Sequence, residues 1–145
     1  MMQEHFKDAL DIYVAQTGTI NTLWNIFLAV SVAMLGYVYK DRTLMDDWKI
    51  KLGLSLGFPL FVTANDFAMT RSQAIVVAAA EYFKNVPTTG EPSFDAVLKA
   101  HQTTISVAEM HVAHVSFALL VLMAMWLPNI TTAFRSRKTK SRKAA

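Results

Sequence analysis

The chain has 145 residues, 53% of them hydrophobic and 17% charged, with a formal net charge of +3. That length suits one domain, and the balance lies on the apolar side of ordinary soluble domains. The sequence contains no cysteine, which excludes a disulfide framework, a thiolate metal site and a cysteine nucleophile.

The distribution of charge says more than its total. No Asp, Glu, Lys or Arg occurs between Ile12 and Tyr39, or between Met110 and Phe134. Each stretch exceeds the roughly 20 residues that cross a hydrocarbon core of about 30 Å. The first lacks a basic leader and has too long an apolar core for a signal peptide, so it reads as a retained span over roughly 20–39. A charged connection follows and ends at Trp48, a ring of the kind that anchors at a membrane interface. The second span starts near Ile50, and its 14 uncharged residues from Leu52 to Asn65 stop at Asp66. As a helix they cover about 21 Å, which puts Asp66 near the far membrane edge. The third span is expected over roughly 114–134.

Ten of the fourteen basic residues fall on the side that holds Lys40, Lys51 and the tail 135–145. The positive-inside rule makes that side cytoplasmic, with the N-terminus outside and the C-terminus inside. A bacterial inner membrane is the expected setting. The tail, with six basic residues and no acid, reads as a topology signal next to lipid headgroups.

Helical periodicity continues past the membrane edge. Residues 74–84 are Ala-rich, and "NVPTTGEPS" supplies Pro87, Gly90 and Pro92 for a turn. The fold expected is therefore an all-α integral membrane protein of three long antiparallel helices, roughly 3–39, 46–85 and 94–134. These form one domain over 1–134 whose outer half protrudes, followed by a basic tail over 135–145. With equal rise and turns near 45 and 90, facing residue numbers on helices one and two add to about 90, and on two and three to about 180. This levels Asp66 with Asn21, Asn25 and His114, Arg71 with Glu109, and Glu81 with Lys99.

A polar layer of Asn21, Asn25, Asn65, Asp66, Arg71, Glu109, His111 and His114 is thus expected near the outer boundary. Ionisable residues inside a membrane are costly and mark functional positions by default, although at the edge Asp66–His114 and Arg71–Glu109 would also serve as plain structural pairs. His111 and His114 stand three apart on one helix face, and with Asp66 they offer two nitrogens and an oxygen to zinc, iron or copper. The pattern lacks a His-Glu-x-x-His or paired Glu-x-x-His motif. Edge histidines that bond neighbouring helices are the commoner outcome, and no resident cofactor is expected.

Gly53 and Gly57 form a GxxxG on the second span, and Gly18, Thr22, Asn25, Ala29, Val32 and Gly36 make a small or polar stripe on the first. Both allow close helix approach, within the chain or against another copy or another membrane protein. No phosphate-binding loop, catalytic triad order or internal repeat is present, and nothing suggests a nucleic-acid partner.

Three functions fit this pattern, of which the first is the one expected and the other two are alternatives. In the first, an oligomeric ion channel or transport-associated protein uses Asp66, with Asn21 and Asn25, as a carboxylate ring behind a mouth of Arg71–Glu109 pairs. The second is a non-catalytic subunit or sensor, and the third a metal-dependent membrane enzyme.

Overall fold

A computed structural model describes residues 2–40, 47–88 and 90–143, with side chains described for 4–40, 47–88 and 90–126. Its elements are α1 (Met2–Lys40), α2 (Trp48–Lys84), α3 (Pro92–His101) and α4 (Val107–Lys143). Three of them, α1 from Glu4, α2, and α4 over Val107–Trp126, are long and apolar enough to cross a membrane. The first charged turn lies outside the described residues, as do the tail side chains.

The expected third helix over 94–134 is divided. It stops at His101 and restarts at Val107, and local chemistry explains the break. Ser106 precedes α4, and Glu109 returns its carboxylate to the Ser106 backbone N–H at 2.7 Å and the Ser106 hydroxyl at 2.8 Å. The Ser106 Oγ in turn accepts from the Glu109 N–H at 3.2 Å. This is a reciprocal capping box, which satisfies amides that a continuous helix would not leave open. The 102–106 linker is pinned from α2, because buried Gln73 donates to Thr104 Oγ1 at 3.1 Å and to the Ile105 carbonyl at 2.5 Å. Gln102 also donates to the Phe83 carbonyl at 3.2 Å.

At its own start α2 is capped by Asp47, whose carboxylate accepts from the Lys49 N–H at 2.8 Å. The turn expected after α2 is present, with Gly90 at φ 77°, a left-handed conformation that glycine adopts without a Cβ penalty.

Helix α2 is central and packs on α1, α3 and α4. Its buried seam runs Phe58, Val62, Asn65, Met69, Ser72, Val76, Ala79 and Phe83, steps that alternate four and three as in left-handed helix packing. The pairings confirm antiparallel neighbours. Phe6 meets Phe83 at one end, Phe27 meets Phe58 further along, and the Tyr39 hydroxyl donates to the Ala124 carbonyl at 3.0 Å.

The core is built in storeys. At the end where α1 finishes, Phe27, Val38, Phe58, Val62, Ala118, Val121 and Met125 pack together. Above them lie Ile20, Met69, Val76 and Met110, and at the far end Ala79, Phe83 and Leu98 close under Phe6, Tyr13 and Phe94. The one buried side-chain polar atom without a partner among the described residues is the Ser31 hydroxyl. Between the first two storeys sits a polar level.

Candidate functional site

The heptad seam of α2 brings Asn65 inward between Val62 and Met69, and Asp66 follows it toward α4. Helix α4 answers with His114 from its buried face and His111 one turn earlier. The Asp66 carboxylate can only accept, so both imidazoles donate: His111 Nδ1–H to Oδ2 at 2.7 Å and His114 Nδ1–H to Oδ1 at 3.1 Å. On the other side of His114, Asn65 Nδ2 lies 3.2 Å from Nε2 and also 3.3 Å from the Met69 sulfur. An amide nitrogen donates, so His114 Nε2 accepts and its proton sits on Nδ1.

Exposure grades along this chain of bonds. The His111 side chain is 54% exposed, Asp66 15% and His114 0%. Below His114 the hydrogen-bonded chain ends, and the Ser31 hydroxyl beyond it is buried without a partner among the described residues. Phe27 lies against its ring with centroids 4.4 Å apart, and Trp24 meets it edge-on at 5.4 Å. Phe58 and Met125, both 1% exposed, belong to the same packed storey as Phe27. The cluster therefore reaches the surface of the bundle through His111 and is closed in the opposite direction by apolar side chains.

The residues singled out from sequence separate accordingly. Asn65, Asp66, His111 and His114 come together, at the level expected. Asn21 and Asn25 stand near that level on α1 but on its exposed outward face, while Ile20, Trp24 and Phe27 turn inward. The expected Arg71–Glu109 pair is not formed. Glu109 is engaged by Ser106, and Arg71 is exposed with no ion pair among the described residues. Glu81 pairs with Lys84 on its own helix at 2.5 Å rather than with Lys99. Gly53 and Gly57 are exposed, and a Cβ on either would meet nothing within 4 Å; the same holds for Gly18 and Gly36. The small-residue stripes are thus not filled by any of the described side chains.

For a metal, the donor types are right, but both imidazoles aim at the carboxylate and not at a common point. Among the described residues no three His, Cys, Asp or Glu side chains stand ready to hold an ion.

Sequence reasoning missed Trp24 and Phe27 as the surroundings of His114, Met69 as a partner of Asn65, and Gln73 as the clamp on the linker. The alternating four-three seam of α2 was the available signal for Met69, and the Ser106-x-x-Glu109 spacing was the signal for the helix restart. The chain matches no family model, no curated protein and no solved structure.

Proposed function

We propose that this is a multi-pass membrane protein, N-out and C-in in a bacterial inner membrane, that works as a non-catalytic subunit or sensor of a membrane assembly. The observation that carries the proposal is the one-sided cluster. Asp66, His111 and His114 can exchange protons or ligands with the outer side through His111, while Phe27 and Phe58 stand between them and the other end. Intramembrane Asp and His chains commonly serve relays and binding sites, but a relay across the membrane needs continuation, and here the hydrogen-bonded chain ends at Asn65 and Met69, with the Ser31 hydroxyl beyond it unpartnered among the described residues. Input at the outer face, passed on through helix packing, fits this arrangement better than conduction along the chain's own interior.

Assembly is supported by the outward stripes. Glycines that meet nothing among the described residues leave room for another helix backbone, the feature on which association in lipid depends. The partner is then a second copy or another membrane protein, and the basic tail lies against anionic lipid headgroups on the cytoplasmic side. A second reading, an ion channel or transport-associated oligomer, draws on the same open glycines, and its path would run between copies.

Ion flux into liposomes separates the two readings, with wild type and Asp66→Asn compared at matched incorporation. The subunit or sensor reading predicts no flux above empty liposomes in either. Flux that Asp66→Asn alters would replace it with the channel reading.

A further inference from the structure

We propose that the cluster of Asp66, His111 and His114 is a receptor for a single proton: His111 takes it at Nε2 when the medium on its side acidifies, and the negative charge of the cluster is cancelled. The inference rests on the reading of the chain as a sensor with its input at the outer face, and it names the stimulus.

Imidazole is the side chain that changes charge between about pH 5 and 8, and the two imidazoles here are not equivalent. Both donate from Nδ1 to the Asp66 carboxylate, at 2.7 Å from His111 and 3.1 Å from His114, so Nε2 is where either ring would accept a proton. On His114 that atom is taken. It accepts from Asn65 Nδ2 at 3.2 Å, the side chain is fully buried, and Trp24 and Phe27 lie against the ring. A proton there would face an amide N–H unless Asn65 turned its amide over and gave up its contact with the Met69 sulfur. On His111 the atom is open. The side chain is more than half exposed, and Nε2 has no hydrogen-bond partner among the described residues.

Uptake needs no rearrangement. A proton from the medium forms one N–H bond at Nε2, while Nδ1–H stays on Asp66 Oδ2 and its hydrogen bond becomes one between opposite charges. Cancelling net charge beside apolar side chains also lowers the cost of burying the carboxylate. The contact that gains is the one between α2 and α4. A second proton, on His114, would set two imidazolium ions against one carboxylate in the packing of Phe27, so the response stops at one. Protonation of Asp66 instead would turn one of its two accepting oxygens into a hydroxyl facing an imidazole N–H.

Few other charges face the cluster. Helix α1 carries no titratable side chain between Tyr13 and Tyr37, α2 none between Lys51 and Asp66, and α4 none between His114 and Trp126. Further along, Arg71 of α2 is exposed and Glu109 of α4 is held by Ser106. His101 of α3 donates from Nδ1 to the Val97 carbonyl at 2.8 Å and packs on Tyr13 in another storey.

Nitrogen NMR of the imidazole rings, on the full chain in lipid nanodiscs from about pH 8 to about pH 5, tests the site. The sequence has four histidines, and each ring is assigned by replacing it. His111 should gain its proton at Nε2 within that range, while His114 stays neutral with its proton on Nδ1. His111→Asn keeps an N–H donor near the Nδ1 position but cannot charge. Protection of amides 112–115, corrected for the intrinsic effect of pH on exchange, should therefore rise about two- to fivefold on acidification in wild type and stay level in His111→Asn. His101→Asn should respond as wild type does. The proposal is overturned by a His111 that keeps one charge state across the range, by a His114 that charges first, or by protection that fails to rise in wild type or rises equally in His111→Asn. The flux assay keeps the two readings apart. A conducting chain whose His111 charges retains the proton site and loses the non-conducting role, whereas a non-conducting chain whose His111 does not charge loses the proton site alone.

Discussion

At the scale of single residues, His114 is the position where most depends on one side chain. Its two nitrogens satisfy Asp66 and Asn65, and its ring fills space beside Trp24 and Phe27. Truncation to alanine would leave a cavity and take one hydrogen bond each from Asp66 and Asn65, which keep His111 and the Met69 sulfur. We expect His114→Ala to cost about 2–5 kcal/mol in reversible unfolding from mixed micelles. Asn65→Leu keeps most of the volume and removes a single interhelical hydrogen bond, so it should cost only about 1 kcal/mol, the usual worth of such bonds in membranes. If the two variants were equally mild, the close packing around His114 would be contradicted. Much of this cluster was legible in the sequence. The equal-rise argument levelled Asp66 with His114, and that level holds although α3 and the 102–106 linker lie between α2 and α4. What it could not supply was azimuth. Asn21 and Asn25 have the right height, but rotation about α1 turns them outward and Trp24 and Phe27 inward, and residue numbers alone do not encode which stripe a neighbour prefers.

At the scale of elements, the break between α3 and α4 shows how local chemistry overrides periodicity. Apolar residues continue at helical spacing through Val97, Leu98, Ile105 and Val107, which is why one helix over 94–134 is the natural expectation. The Ser106-x-x-Glu109 box and the Gln73 clamp decide otherwise, because they satisfy the amides and carbonyls that the interruption frees. Ser106→Ala should lower the stability of the first turn of α4 by about 1 kcal/mol. Hydrogen exchange of amides 107–109 would then speed up while amides near Met69 stay protected. Unchanged exchange at 107–109 would mean that the box does not hold the helix start. The Arg71–Glu109 pair failed for the same reason: a carboxylate that caps its own helix is no longer free for a cation on another.

At the scale of the whole molecule, the three storeys account for the single chain, and the outward glycines account for none of it. Gly57→Leu therefore should leave the unfolding transition of the monomer unchanged, since nothing lies within 4 Å of the added Cβ. The same variant should shift the population in nanodiscs toward monomer, read by chemical cross-linking. A destabilised monomer would show that the groove is filled from within; unchanged cross-linking would remove this face from the assembly. Helix lengths point the same way. At 37 residues, α2 is about 55 Å long, so in the proposed topology about 25 Å of the bundle would project beyond a hydrocarbon core of about 30 Å, and the Asp66 cluster would fall near that boundary.

The central claim is a bundle that crosses the membrane three times and presents the Asp66 cluster at its outer edge. The absence of cysteine makes single-cysteine labelling clean. Ser93→Cys, in the first turn of α3, and Ser141→Cys, in the basic tail, are each exposed to a membrane-impermeant maleimide on intact cells and again after permeabilisation. The account predicts reaction at residue 93 in intact cells and at residue 141 only after permeabilisation. Reaction of both from the same side, or of 141 alone in intact cells, would contradict it.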